Sequence, residues 1–223
     1  MKVAVLRFPG TNCEFDTQYA FEKLGHTTEL VWHEEVTLPE GIDLVVVPGG
    51  FSYGDYLRSG SIARFSPIMQ AVKIYASQGG KVLGICNGFQ ILTEAGLLPG
   101  ALKRNNNLHF ISKYQNLCVV NNDNAFLNKC DKGEVLNIPI AHADGNYYID
   151  EAGFKKLEEN GQILLRYCDE KGNPVVVNGS VSSIAGICNE AKNVFGLMPH
   201  PERALESTLG SEDGIKMLKG FES

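Results

Sequence analysis

Short, continuously apolar runs recur along this 223-residue chain, and few folds accommodate them. The clearest run covers residues 42–47 and ends at Pro48 and the Gly49-Gly50 pair. A strand that helices cover on both faces has this continuous character, whereas a strand with one solvated face alternates between apolar and polar residues. Helical patterns follow several of the runs, which indicates βαβ units. The sequence therefore predicts an α/β fold with a mostly parallel central sheet and helices on both of its faces.

The middle of the chain, residues 105–178, has a different character. It is richer in Asn, Asp and Gly, and it holds short strand candidates at 117–121 and 163–168. These features favour a small antiparallel extension of the sheet. Elsewhere the predicted strands are 3–8, 28–32, 42–47, 81–85, 184–188 and 194–197, and the predicted helices end near Leu24 or cover 61–77, 88–95 and 208–220.

Composition argues against several classes of function. The net charge of −6, with no concentrated basic stripe, predicts no nucleic-acid partner. No apolar run approaches the roughly 18 residues of a membrane span. The six cysteines include no CxxC pair, and the opening Met1-Lys2-Val3 is typical of an immediate strand, so we expect free thiols in a cytoplasmic protein. We also expect one domain over residues 1–223.

Cys86 occupies the segment with the strongest chemical signal, Gly84-x-Cys86-x-Gly88. It directly follows a predicted buried strand and precedes a helix, which is the arrangement of a nucleophile elbow. Flanking glycines remove Cβ atoms that would collide with neighbouring elements, and the helix N-terminus favours a thiolate. The N–H of Asn87 would point at a developing oxyanion. For the motif alone, a buried structural cysteine is about as frequent, and the strand-to-helix context favours the nucleophile.

His200 is the candidate base, because it follows a predicted strand and lies between Pro199 and Pro201. The prolines are expected to exclude a helix and fix the loop. Glu202 would project to the same side as His200 in an extended backbone, where its carboxylate would orient the imidazole. Alone, the pattern is better explained by a rigid loop with solvated side chains. Together with the elbow, a triad of Cys86, His200 and Glu202 is the stronger interpretation.

The Gly49-Gly50 pair marks a second transition from strand to loop. Glycines here free backbone N–H groups to point at a ligand, so this loop and the Asn87 N–H together predict a two-donor oxyanion hole. A tight turn is the common alternative for two adjacent glycines. A phosphate cradle is less favoured, because no G-x-x-x-x-G-K-[ST] pattern follows.

These segments together resemble the class I (triad) glutamine amidotransferases. The resemblance is carried by Gly84-x-Cys86-x-Gly88-x-Gln90, by the Gly49-Gly50 loop and by His200-x-Glu202. It spans residues 3 to about 221 and is closest to a branch of the family that serves purine biosynthesis.

The resemblance implies a flavodoxin-like fold in one glutamine amidotransferase type 1 domain, residues 1–223. It implies that Cys86 is the nucleophile, that His200 and Glu202 complete the triad, and that Gly50 and Asn87 supply the oxyanion N–H groups. The residues that it implies for substrate binding are Gly49, Phe51, Gln90 and His142.

The resemblance also implies the reaction and the partners. L-Glutamine is hydrolysed through a thioester on Cys86, and the ammonia passes to a large synthetase subunit that uses ATP and Mg²⁺. In some relatives a third small subunit completes the assembly. No cofactor is expected in this chain, and no metal, because no HExxH or CxxC spacing is present.

Two segments depart from the family pattern. The usual His-Gly-Glu-Gly reads His142-Ala143-Asp144-Gly145, and of the usual Asn-Pro-Asn-Gly-Ser only Asn178-Gly179-Ser180 remains. Neither departure touches the triad residues. Three alternatives stay open: a related elbow-cysteine hydrolase, a non-catalytic module that only docks on a synthetase, and a glutaminase that serves another synthetase, such as one making anthranilate or cytidine nucleotides.

Overall fold

The computed structural model of the protein describes residues 1–222. Within this range the α-helices are α1 (Glu14–Lys23), α2 (Pro67–Ser77), α3 (Asn87–Glu94), α4 (Glu151–Glu159) and α5 (Asp213–Leu218). The strands are β1 (Lys2–Arg7), β2 (Thr27–Trp32), β3 (Leu44–Val47), β4 (Lys81–Ile85), β5 (Ala101–Lys103), β6 (Ile111–Val119), β7 (Val135–His142), β8 (Asn146–Tyr148), β9 (Ile163–Tyr167), β10 (Ile184–Cys188) and β11 (Val194–Leu197).

Nine of these strands form one sheet, in the order β2-β1-β3-β4-β11-β10-β9-β6-β7. The first five are parallel, and β10, β9, β6 and β7 continue the sheet in antiparallel pairings. The α/β fold with a parallel centre and an antiparallel extension is therefore confirmed. β5 and β8 pair separately as a two-stranded sheet.

Apolar residues place the central strands. β3 and β11 are buried along their whole length, and β4 is buried from Val82 to Ile85. Helices α2 and α3 pack against β4, and α1 packs against β1 and β2. Burial on both faces is typical of parallel strands between helices, and it explains why these runs are continuously apolar. No helix within residues 1–222 has the length and apolar character needed to cross a bilayer.

Two predicted helices are wrong in extent. The helix predicted over 61–77 is a 3-10 turn at Ala63–Phe65 followed by α2, because Ser66 is extended before Pro67 and proline then begins the new helix. The helix predicted over 208–220 is only α5, preceded by a 3-10 turn that ends in Gly210 at φ +111°.

The middle of the chain contains more regular structure than the sequence indicated. The strand predicted at 117–121 is the end of the longer β6, and β7, β8 and α4 were not predicted as elements. Asp150 caps α4 by accepting a 2.7 Å hydrogen bond from the N–H of Gly153. β7 matters most for function, because its last residues contact the site described next.

Candidate active site

Cys86 lies at the sharp turn between β4 and α3, with φ 52° and ψ −105°. This strained conformation persists because its surroundings leave no alternative. A Cβ on Gly88 would lie 1.8 Å from the carbonyl oxygen of Val47, and a Cβ on Gly84 would lie 2.8 Å from the carbonyl oxygen of Gly88. The turn therefore has the geometry of a nucleophile elbow, and its glycines are required for space.

His200 is buried just beyond the end of β11. Its Nδ1 lies 2.6 Å from Oε1 of Glu202, which is also buried. The side chains meet as predicted, but the backbone reasoning is wrong: Glu202 belongs to a 3-10 turn, Pro201–Arg203, rather than to an extended segment. Pro201 starts that turn, where its missing N–H costs no hydrogen bond. The N–H of His200 donates to the carbonyl of Pro139 in β7 at 2.9 Å, which fixes the loop.

The pKa values of two buried histidines in this region are shifted in opposite directions. Burial is the largest single influence on His200 and lowers its pKa, but Glu202 and the thiols of Cys86 and Cys13 together raise the pKa well above its ordinary value. For His142, burial and then the charge of His200 lower the pKa to about 4. His200 therefore holds a proton readily, whereas His142 is neutral at pH 7.

The Gly49-Gly50 loop packs against both the Cys86 elbow and His200. A Cβ on Gly49 would lie 2.8 Å from Cε1 of His200 and 3.5 Å from Cβ of Cys86, so only glycine fits there. Gly50 has φ +144°, a conformation that L side chains rarely adopt. Its N–H and C=O have no hydrogen-bond partner within residues 1–222.

Asn87 connects the elbow with this loop. As the first residue of α3, it has a backbone N–H without an intrahelical acceptor. Its side-chain Oδ1 accepts a 3.0 Å hydrogen bond from the N–H of Ser52. The cavity between elbow and loop has a volume of about 180 Å³, and the residues that line it include Cys13, Gly50, Phe51, Cys86, Ala141 and His200.

Comparison with known proteins identifies the family of the chain. Residues 1–215 match the model of the CobB/CobQ-like glutamine amidotransferase domain family. The chain belongs to this family. The resemblance inferred from the sequence motifs is thereby confirmed.

Individual members of this amidotransferase family match almost the whole chain. It is 67% identical to phosphoribosylformylglycinamidine synthase subunit PurQ of Sulfurimonas denitrificans, over 99% of each chain. It is 62% identical to the PurQ subunit of Campylobacter jejuni, over 99% of this chain and 96% of the relative. A chain in the structure of PurLQS from Thermotoga maritima is similar with a TM-score of 0.89 at 43% identity, over 99% of this chain and 97% of that one.

The residues implied for substrate binding fall into two groups in this amidotransferase. Gly49 and Phe51 border the cavity, and Phe51 is 46% exposed. Gln90 is buried, and both ends of its amide bond internally, to Asn87 at 2.9 Å and to the carbonyl of Asp144 at 2.7 Å. His142 is buried behind the cavity, with Nδ1 3.2 Å from Oδ1 of Asn105. Both of these side chains support the site rather than line the cavity.

Sequence reasoning missed two neighbours of the triad. Cys13 is buried, lines the cavity beside His200 and lies 3.2 Å from Nη2 of Arg203. The carbonyl of Ala141 lies 3.6 Å from the Cys86 thiol, a contact made by the unpredicted β7. A cysteine close after a predicted strand was the available signal for Cys13.

His33 contacts the loop that follows Gly50. Its place near the end of a predicted strand predicts a surface side chain, but the structure buries it. Nδ1 of His33 lies 2.9 Å from the hydroxyl of Tyr53, and the two rings pack edge to face. Tyr53 therefore anchors the loop from the inside, whereas Phe51 in the same loop is exposed.

Proposed function

We propose that this protein is the glutaminase subunit of a phosphoribosylformylglycinamidine synthase, and that residues 1–223 act as one amidotransferase domain. The observation that supports it most is the buried pair of His200 and Glu202, 2.6 Å apart, beside a strained elbow cysteine. Full-length identity of 62–68% to PurQ subunits supports this synthase over amidotransferases that serve other products.

The first chemical step uses the Cys86 thiol and His200. His200 takes the thiol proton, and the thiolate attacks the side-chain carboxamide carbon of L-glutamine. Glu202 stabilises the imidazolium that forms and holds Nδ1, so that Nε2 serves the reaction. The raised pKa of His200 supports this role, because the imidazole keeps the proton until the leaving group needs it.

The second step requires stabilisation of the oxyanion. The N–H groups of Gly50 and Asn87 are the proposed donors, because neither has an acceptor in its own element. Imidazolium then protonates the leaving ammonia, and a γ-glutamyl thioester remains on Cys86. Water activated by His200 hydrolyses the thioester and releases glutamate.

The ammonia requires an acceptor outside this chain. We propose that a large synthetase subunit uses it, with ATP and Mg²⁺, to convert formylglycinamide ribonucleotide to formylglycinamidine ribonucleotide, and that a third small subunit completes the complex. The related structure described as PurLQS supports this assembly. Purine biosynthesis also makes the cytoplasm the proposed location.

Two other functions are less well supported. In the related elbow-cysteine hydrolases the histidine lies soon after the cysteine in sequence, whereas His200 follows a late strand, β11. A docking module without activity has no need of a buried His–Glu pair beside a strained cysteine. Free glutamine tested against short peptides as substrates would separate the first alternative from our proposal.

The proposal is tested by separating the two nitrogen sources. In the complex with its synthetase, Cys86→Ala is expected to lower glutamine-dependent synthesis by about 10³-fold or more while ammonia-dependent synthesis continues, because only ammonia production uses the thiol. Cys118→Ser, a partly exposed thiol in β6, is the matched control. Equal loss with glutamine and with ammonia would contradict the assignment.

A further inference from the structure

We infer that the cavity contains a second, unassigned site: a binding site for a thiophilic divalent cation such as Zn²⁺, formed by the thiolates of Cys13 and Cys86 and by Nε2 of His200. Its consequence is reversible inhibition of the enzyme by the metal. The consequence for activity rests on the proposed function, whereas the binding site itself does not.

Two of the three proposed donors, Cys13 and His200, already lie close together. Donor atoms of Cys13, His200 and Glu202 all lie within 4.8 Å of one another, and all three residues are buried. In a tetrahedral Zn²⁺ site, sulfur and nitrogen donors lie roughly 3.3–3.8 Å apart. For Cys13 and His200 a contraction of about 1 Å is therefore sufficient, which is within the reach of side-chain rotation.

Cys86 completes the set through the space that Gly49 leaves. The position of a Cβ on Gly49 would lie 3.0 Å from Sγ of Cys13, 2.8 Å from Cε1 of His200 and 3.5 Å from Cβ of Cys86. All three side chains therefore pack around Gly49, where a side chain would separate them. Both cysteines and His200 also line the 180 Å³ cavity, so an ion has a path to them.

The imidazole has the arrangement that metal-binding histidines show. Its Nδ1 is held by Glu202, and Nε2 is buried without a hydrogen-bond partner within residues 1–222. A carboxylate on one ring nitrogen typically orients the other towards a metal.

The local charges allow a cation. Arg203 lies 3.2 Å from Sγ of Cys13 and opposes it, but Asp16 pairs with Arg203 at 2.9 Å. Two thiolates neutralise Zn²⁺ once their protons and the proton of His200 are released. Sulfur and imidazole donors select Zn²⁺ over Mg²⁺, so the Mg²⁺ proposed for the synthetase does not compete.

The direct test is metal binding without turnover. Zn²⁺ titrated against a chromophoric chelator should show one tight site per chain, and Co²⁺ should give a thiolate-to-cobalt charge-transfer band. We expect Cys13→Ser and Cys86→Ser each to raise the Kd for Zn²⁺ by roughly 100-fold or more, because each removes a metal ligand. Cys118→Ser should bind Zn²⁺ as the wild type does. Cys13→Ala, checked by circular dichroism, separates ligand loss from misfolding.

Inhibition is then measured on each variant against its own activity without metal. Wild type and Cys118→Ser should lose glutaminase activity with Zn²⁺ and regain it with EDTA, whereas Cys13→Ser should need roughly 100-fold more Zn²⁺. Equal zinc affinity in wild type and Cys13→Ser would overturn the inference. Zinc binding by a chain that hydrolyses no glutamine even in the complex with its synthetase would instead contradict the proposed function and leave the metal site standing.

Discussion

The elbow at Cys86 and the loop from Gly49 to Asp55 face each other across one cavity, but different forces hold them. The elbow is fixed by steric contact, since a single added Cβ at Gly88 would lie 1.8 Å from the carbonyl oxygen of Val47. The loop includes Tyr53, Gly54 and Asp55 at positive φ, and polar contacts hold it.

The polar contacts of the loop involve side chains from several other segments of the chain. The N–H of Ser52 donates to Asn87, the hydroxyl of Tyr53 meets His33, and the side-chain amide of Asn87 lies 3.4 Å from the carboxylate of Asp55. Burial, then the charge of Asp144, raises the pKa of Asp55 to about 6. Close packing therefore holds the nucleophile and leaves no room for an added atom. Hydrogen bonds hold the loop from Gly49 to Asp55, and single substitutions can remove them one at a time.

The largest expected effect comes from disrupting the close packing around the Cys86 elbow. Gly88→Ala places a methyl group against Val47, and we expect at least about 100-fold loss of glutaminase activity, with several kcal/mol of destabilisation, because overpacking moves the elbow. Glutaminase assays and thermal unfolding measure both effects.

Gly96→Ala is the matched control for that variant. Gly96 has φ +74°, but a Cβ there meets nothing within 4 Å, so the substitution adds backbone strain of about 1–2 kcal/mol without a clash. An active Gly88→Ala, no less stable than Gly96→Ala, would refute the steric account of the elbow.

A smaller effect is expected from removing the hydrogen bond between Asn87 in the elbow and Ser52 in the loop. Asn87→Ala keeps the backbone N–H at the elbow but leaves the buried N–H of Ser52 without its acceptor. We expect kcat for glutamine to fall roughly 10–100-fold, because the loop loses its position and one oxyanion donor is weakened. Alkylation of Cys86 by iodoacetamide should keep its wild-type rate.

Asn173→Ala, an exposed asparagine, should leave both kcat and the alkylation rate unchanged. A slowed alkylation in Asn87→Ala would show that the elbow itself depends on this hydrogen bond, and the contrast between the two regions would fail.

The smallest effect concerns the stability of the loop against pH. Since the folded-state pKa of Asp55 is raised to about 6, its ionisation disfavours the folded state, and stability falls as pH rises from about 4 to about 6. Asp55→Asn removes this charge. After allowance for partial exposure, we expect it to stabilise the protein by roughly 1–2 kcal/mol at pH 8 and by about half as much at pH 5.

Urea unfolding at both pH values measures this difference. Glu35→Gln, which neutralises an exposed carboxylate, should show no such dependence on pH. An Asp55→Asn variant that is equally stabilised at pH 5 and pH 8 would mean that the carboxylate plays no part in how the loop is held.

The parallel half of the fold could be predicted closely from sequence. β4, β10 and β11 have the predicted bounds, because each is a mostly buried run that begins directly after a polar or glycine residue. β7 was not predicted, although its buried residues alternate as in a strand with one solvated face, because Pro139 is atypical within a strand. α4 was not predicted, because it contains Gly153 and many charged residues and buries only one residue, so it lacks a clear apolar face.

The candidate site, like the fold, could be predicted only in part from sequence. Cys86 and His200 each follow a predicted parallel strand, so their proximity follows from the rule that such strands end at one edge of the sheet. The contacts of Ala141 and Cys13 depend on how the outer strand returns to the centre and on how the loop after β1 packs. No local pattern encodes these tertiary contacts.

The position of β11 between β4 and β10 has a consequence for the order in which the protein matures. During synthesis the segment that carries Cys86 leaves the ribosome long before the one that carries His200. Until β11 inserts, β4 is an open sheet edge, which is the kind of surface that chaperones must protect. Under the proposed function, an incomplete chain presents a thiol without a base, so glutamine hydrolysis begins only when the last strand of the sheet is in place.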